Sequence, residues 1–373
     1  MRPINYVTLS RVEHIANIGF VANTALNLPT EGGNMPRDRY YWGLLLTCRG
    51  RATMPASGGP SALIGPDGPY QLIERVIVEG YHVPRGQNER FIDLRCADLF
   101  RLSRLYLAQP FAELPNTWNF AASAVNDFEF SLLVPFVPLG VSPIEQVNYL
   151  LDAPNYNPLR LTIQWADAAS MFSSSTNAPT LSAFGSSTGS PTCQVVGIFA
   201  MGGTQRFSGR MMGKVWRFFQ EVTGSLMTTT ATGVRLLDLP KGNFLRSLVL
   251  KIGTRATTVS SGNNAYATYA DNLAHIRIYR GLNTPIRWFV APSHLRNIHA
   301  LDHNIAIPVG IAPLDFARTG VLAESFSARD LVAGPSGSVD FYLEADVTGV
   351  ANGALTVVFE EIRQLPVIVA RRR

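Results

Sequence analysis

The chain is short of charge. Asp, Glu, Lys and Arg make up only 16% of its 373 residues, against about a quarter in ordinary globular domains. A surface this poor in charge is one that neighbouring subunits cover in place of water. Cysteine is equally scarce. Cys48, Cys96 and Cys193 are odd in number and far apart, which excludes a disulfide framework and lacks metal-ligand spacing. Reduced and buried is their expected state, in a chain made in a reducing cytosol. No apolar run approaches the ~18–20 residues that span a bilayer. Residues 1–27 lack the apolar core and cleavage site of a secretory leader, so a soluble protein is expected. Nor is there the concentrated basic stripe of a nucleic-acid reader. The net charge of +5 is carried by Arg far more than Lys, and the planar guanidinium fork suits interface ion pairs. The densest basic run is the terminal Arg371-Arg372-Arg373, readable as a solvated tail or as a contact for phosphates of genome or lipid headgroups.

What the chain has is a plan stated twice. Leu44-Leu45-Leu46-Thr47-Cys48-Arg49-Gly50-Arg51-Ala52-Thr53 is answered by Leu248-Val249-Leu250-Lys251-Ile252-Gly253-Thr254-Arg255-Ala256-Thr257. Leu72, Ile77, Gly80 and Pro84 recur with the same spacing as Leu273, Ile278, Gly281 and Pro285. At this length two domains, each with its own core, are expected. Duplication supplies the pseudo-symmetry that a lattice-building protein uses.

Hydrophobic periodicity orders the elements. Val12, Ile15, Ala16 and Ile18 in the stretch from Val7 to Ala25 are spaced for an amphipathic helix, with Ser10 as its N-cap. Residues 31–39 form a Gly/Pro/polar loop. From Tyr40 the pattern is β: strands over 41–54 and 72–83, a Gly/Pro/Ser loop over 55–69, and a short extended piece at 91–94. Residues 96–107 switch to helical spacing, with Leu99, Leu102, Leu105 and Tyr106 on one face. Strands follow at 128–137, 159–165, 194–201 and 215–222, with a short helix over 143–151 and a long Ser-rich excursion over 173–190. The second half replays the order. A strand at 244–258, a polar loop at 259–267 and a strand at 273–279 come first. Residues 293–298 then stand where 97–102 stood, 305–316 match 132–140, and 338–344 match the 159 strand. Residues 355–362 close the unit. Each half is an all-β unit of about eight strands, and eight antiparallel strands in two facing sheets make a jelly roll. Tandem immunoglobulin-like domains and cupin barrels are the rival architectures.

A search for chemistry returns little. His294, His299 and His303, with Asp302 beside them, form the one His cluster, but their spacing makes a metal site only on a particular helix-loop geometry; polar loop or interface residues is the default. His14, His82 and His275 are isolated. Gly58-Gly59 and residues 197–203 have no phosphate-loop pattern. Ser208-Gly209 and Ser260-Ser261-Gly262 lack a nucleophile elbow. Glu74, Glu79, Asp127 and Glu129 could pair for glycoside hydrolysis across a sandwich cleft, although Arg75 and Arg85 favour ion pairs for the first two. Trp42, Trp165, Trp216 and Trp288 read as core or subunit-contact residues, with Trp118 in a loop. No catalytic residue, cofactor or metal is expected, and the chain is read as a non-enzyme. The reading from another class is a two-domain β-sandwich carbohydrate-binding protein or glycoside hydrolase.

Three stretches resemble the double jelly-roll major capsid proteins of tailless icosahedral viruses, especially membrane-containing bacteriophages. Residues 127–139 (Asp-Phe-Glu-Phe-Ser-Leu-Leu-Val-Pro-Phe-Val-Pro-Leu), followed by 143–151 and 159–165, look like that family's strand F, FG helix and strand G. Leu239-Pro240-Lys241-Gly242 is similar to an entry segment of such jelly rolls. Residues 312–320, Phe326 and the strand at 338 resemble its closing section. The resemblance implies two tandem eight-stranded antiparallel jelly-roll sandwiches with short connecting helices. The expected divisions are an N-terminal arm with a short helix over 1–39, jelly rolls over 40–212 and 213–366, and a basic tail over 367–373. It implies a homotrimer, a pseudo-hexagonal unit of an icosahedral virion shell assembled in the host cytoplasm. Its partners would be neighbouring trimers, vertex or penton and minor capsid proteins. The headgroups of an internal membrane would meet the arm or Arg371, Arg372 and Arg373, and no specific nucleic-acid recognition is implied. The loops at 55, 173 and 259 would decorate the outside.

Overall fold

A computed structural model describes residues 8–29, 33–56, 67–107, 118–146, 149–171, 178–201, 213–215, 219–222, 225–255, 266–281, 285–288, 291–318, 325–328 and 339–363. The first unit has eight principal strands: β1 (Thr8–Gly19), β2 (Ala25–Asn27), β3 (Tyr40–Thr53), β4 (Ile73–His82), β5 (Gln87–Leu94), β6 (Val125–Pro135), β7 (Tyr156–Trp165) and β8 (Thr192–Met201). Helix α1 (Cys96–Tyr106) lies between β5 and β6. One sheet runs β1-β8-β3-β6 and the other β2-β7-β4-β5, with every neighbouring pair antiparallel. This is the jelly-roll order, in which first, eighth, third and sixth strands face second, seventh, fourth and fifth.

The second unit repeats it strand for strand: β9 (Phe219–Val222), β10 (Ala231–Asp238), β11 (Phe244–Arg255), β12 (Leu273–Arg280), β13 (Pro285–Trp288), helix α2 (Pro292–His303), β14 (Ile311–Asp315), β15 (Phe341–Val347) and β16 (Gly353–Arg363). Its sheets run β9-β16-β11-β14 and β10-β15-β12-β13. The duplicated sequence around Leu44 and Leu248 thus occupies the same place in both units, the third strand. The two helices likewise both connect the fifth strand to the sixth.

Three expectations need correction. The stretch read as an N-terminal helix is β1, paired along β8 from Thr8–Met201 to Gly19–Thr192. Two register shifts, between Leu9 and Arg11 and between His14 and Ala16, explain the error. A bulge adds a residue to one strand and breaks period-two alternation, so the apolar positions fall at the three- and four-residue spacing of a helix. The arm drawn over 1–39 therefore contains two of the eight strands, and the first jelly roll starts by Thr8. Missing them also shifted the strand count: residues 125–135 form the sixth strand (G in a B-to-I naming), 156–165 the seventh (H), and the helix between F and G is α1. Among the described residues of 143–151, Pro143–Gln146 is α-helical and Tyr149 is in a 3-10 turn. The division at 212/213 falls between β8 and a short strand, Gly213–Val215, on β16. The tail after Arg363, most of the 55 and 259 loops and residues 173–177 lie outside the described residues; the rest of the 173 excursion is mostly exposed and carries a short strand, Thr180–Ser182, paired with β3.

Each unit closes over its own apolar core. In the first, Leu44, Leu46 and Cys48 of β3 meet Val76, Val78, Leu161, Ile163 and Trp165 across the sandwich. In the second, Leu248, Leu250 and Ile252 of β11 meet Ile276, Ile278, Phe341 and Leu343. The outward residues Val249, Ile311 and Val358 of the second unit belong to the first unit's cluster. One outer face of barrel two is thus buried against barrel one.

Candidate functional site: the seam between the barrels

Helix α1 makes the seam. It follows Arg95, which is extended at φ −66° and ψ 145°, and the Leu99, Leu102 and Leu105 stripe packs inward as the spacing predicts. Nine of its eleven residues are buried, so its other face is covered too, by barrel two. There Asp98 accepts a hydrogen bond from Lys251 Nζ of β11, with both side chains almost fully enclosed. Asp67, just before β4, accepts from Arg101 Nε at 2.8 Å and from the Tyr269 hydroxyl, and Lys251 stands 3.7 Å away. Burial alone would push the Asp67 carboxyl up, but Arg101 and Lys251 hold it below the usual carboxylate range. Two cations from two barrels share two buried carboxylates, a set in which each charge depends on the others.

A second buried cluster continues the seam. Arg246 of β11, with 0% of its side chain exposed, donates to both Glu360 oxygens at 2.8 and 3.0 Å. Ser247 Oγ adds a third bond to that carboxylate at 3.0 Å. The Arg246 guanidinium lies 4.4 Å over the Tyr106 ring of α1, and Tyr106 donates to Asp315 of β14 at 3.2 Å. Gly140, at φ +70°, leaves room for that ring: a Cβ there would come within 2.6 Å of Tyr106. His299 Nε2 of α2 meets the Leu105 carbonyl at 2.7 Å, and burial holds the His299 imidazole below its usual range, hence neutral.

Sequence reasoning named His299 and His303 and missed most of the rest. The signal was there: Lys251 inside Leu-Val-Leu-Lys-Ile-Gly and Glu360-Glu361 inside Val-Val-Phe-Glu-Glu-Ile are charges in strands otherwise buried on both faces, which require partners. His294 is exposed on α2 and joins no cluster with the other two. Asp302 pairs with Arg318 at 2.7 Å. The carboxylates weighed for glycoside chemistry are dispersed. Asp127 pairs with Arg51 at 2.7 Å, Glu129 with Arg49 at 2.9 Å, and Glu79 with Arg90 at 3.2 Å. Glu74 accepts from Gln164 at 2.8 Å, while Arg75 goes to Asp93 at 2.6 Å. The Arg51 hydrogen bond holds Asp127 below the usual range, opposite to what a general acid requires. Trp165 is fully buried, Trp118 nearly so, and Trp42 Nε1 donates to Gln146 at 3.0 Å; Trp216 is outside the described residues. Cys48 and Cys193 are register partners on β3 and β8, and all three thiols are free and buried. Burial pushes each thiol up, that of Cys193 to about 12, so they are inert protonated core groups.

By sequence the chain matches no family model and no curated relative. By structure it is similar to the major capsid protein of Sulfolobus turreted icosahedral virus, with TM-score 0.63 at 12% identity over 96% of this chain and 98% of that one. A second structure, of the same virus, gives 0.65 at 12% identity over 96% and 92%. The major capsid protein P2 of bacteriophage PM2 gives 0.54 at 11% identity over 94% and 98%. These are double jelly rolls, and that fold is what this chain shares with them.

Proposed function

We propose that the chain is a major capsid protein, structural and not catalytic, that assembles as homotrimers into an icosahedral shell. The observation that carries this is a docking face used once and left open once. In α1, Asp98 and Arg101 reach Lys251 and Tyr269 of barrel two, and the Leu105 carbonyl meets His299. Under the repeat their counterparts in α2 are His294, Asn297 and Leu301, and all three are exposed, Leu301 at 84%. The receiving sheet is also duplicated. In its copy in barrel one, Leu45, the counterpart of Val249, is half-buried and Thr47, the counterpart of Lys251, is buried, while Arg49 and Arg51 farther along β3 are exposed and half-buried. A second chain whose β3 sheet covers α2 repeats the internal seam between chains. Head-to-tail repetition of that contact closes a ring when each step is a third of a turn, and three such chains give six barrels, the pseudo-hexagonal unit that tiles a shell.

The fold shared with viral major capsid proteins supports the same reading, as does the low charge. Neighbouring trimers, vertex and minor capsid proteins, and headgroups reached through residues 1–7 or Arg371 to Arg373 are the partners this role requires, and a virion capsid is its place. Light scattering coupled to size exclusion tests it. Trimers of about three times the 40.8 kDa chain, or closed particles by electron microscopy, are expected; a monomer at every salt concentration overturns the proposal.

A further inference from the structure

We propose that His299, His303 and Asp315 bind a divalent transition-metal ion of the zinc type, one per chain, at the barrel seam. His299 and His303 are one turn apart on α2, the i, i+4 spacing that puts two imidazoles on one helix face. Asp315, at the end of β14, closes the third side. One ligand atom from each of the three lies within 4.8 Å of the others. Ligands on a tetrahedral zinc with bonds of about 2.0–2.1 Å stand about 3.3–3.4 Å apart. His303 Nε2 and Asp315 Oδ2 are already 3.4 Å apart, and small side-chain rotations bring His299 in.

The hydrogen bonding around the group favours ligation. His299 spends Nε2 on the Leu105 carbonyl, which places the proton on Nε2 and leaves Nδ1 as a lone pair. That outward bond to a backbone carbonyl is the arrangement that orients metal-binding histidines. His299 Nδ1 is buried without a hydrogen-bond partner, and such an atom is costly unless something binds it; His303 Nε2 faces the Asp315 carboxylate. Nitrogen and carboxylate donors select zinc-like ions over magnesium or calcium. The neighbouring cation, Arg246, is 3.7 Å from Asp315, but Glu360 takes up its charge in two hydrogen bonds. A cavity of about 110 Å³ lined by Asp302 and Arg318 reaches two of the three ligands, His299 and Asp315. The ion would clamp α2 to β14 and, through Leu105 and Tyr106, to barrel one.

All three ligands come from one chain, so this inference stands or falls separately from trimer assembly. The test is titration of Zn²⁺ or Co²⁺ into untagged, chelator-treated full-length protein. One saturable equivalent per chain is expected, with visible Co²⁺ absorption bands and a Zn²⁺-dependent rise in Tm. His303→Ala should weaken binding about 100-fold or more, and exposed His14→Ala should leave it unchanged. Asp315→Asn also removes the charge facing Arg246; if it fails to fold, His303→Ala and the Co²⁺ spectrum of the unaltered protein decide. Absence of a saturable equivalent, or His303→Ala binding as tightly as the parent, overturns the site.

Discussion

The third strand of each barrel has matching core positions and a different back. In β3, Leu44, Leu46 and Cys48 face the core, and outward Leu45 and Arg51 are half-buried and Arg49 exposed, with Thr47 buried between them. In β11, Leu248, Leu250 and Ile252 face the core, and outward Val249 and Lys251, the counterparts of Leu45 and Thr47, are both buried, as is Ser247. The helices differ in the same sense: nine residues of α1 are buried, but only Pro292, Leu295 and His299 of α2. One duplicated surface pair has been closed within the chain and the other has not. Charge follows closure. The outward cations of β3 make half-exposed pairs with Asp127 and Glu129, whereas those of β11 are enclosed with their carboxylates.

The largest expected effect comes from breaking the closed side. Arg246→Ala leaves Glu360 buried without its cation and should cost about 3–5 kcal/mol. Arg49→Ala on the open side removes a pair worth about 0–1 kcal/mol. Urea unfolding of the two variants checks the contrast, and equal midpoints would erase it. Next comes packing. Leu105→Ala empties a position 2% exposed and should cost about 2–5 kcal/mol.

Acid sharpens the comparison further. Asp67 has its carboxyl held lower in the folded chain than the unfolded value of about 3.9. Its contribution is therefore fully present above that pH and is lost as pH falls through the lower folded value. Thermal unfolding followed from pH 6 to about pH 2 should show stability falling below about pH 4, with a shallower acid limb in Asp67→Asn. An unchanged acid limb in that variant would remove Asp67 from the seam's energetics.

Residue patterns made some of this legible and hid the rest for physical reasons. The repeat, the α1 stripe and the alternating Leu159, Leu161 and Ile163 all report a side chain's relation to its own barrel, which local periodicity encodes. β1 was misread because its bulges put a strand into helical phase. The seam was invisible because Asp67 and Lys251, or Tyr106 and Asp315, meet across 184 and 209 residues, and spacing carries no information about which buried charge finds which. The His cluster shows both limits at once. The helix that joins His299 to His303 could be read from sequence, but Asp315 reaches them only through the turn into β14.

The smallest expected effect on the folded chain is the most informative about its role. Leu301 is 84% exposed on α2, so Leu301→Asp should change the stability of the isolated chain by no more than about 0.5 kcal/mol. Its counterpart Leu105 is buried, with its carbonyl on His299 at the seam, and a carboxylate at a buried position is costly to enclose. If a neighbouring barrel covers α2 as barrel two covers α1, Leu301→Asp should abolish trimers in size exclusion while leaving circular dichroism and Tm unchanged. A variant that still forms trimers would mean the open face of the duplicate is not the contact between chains. The resemblance between the two helices would then be an inheritance of fold without reuse of its docking surface.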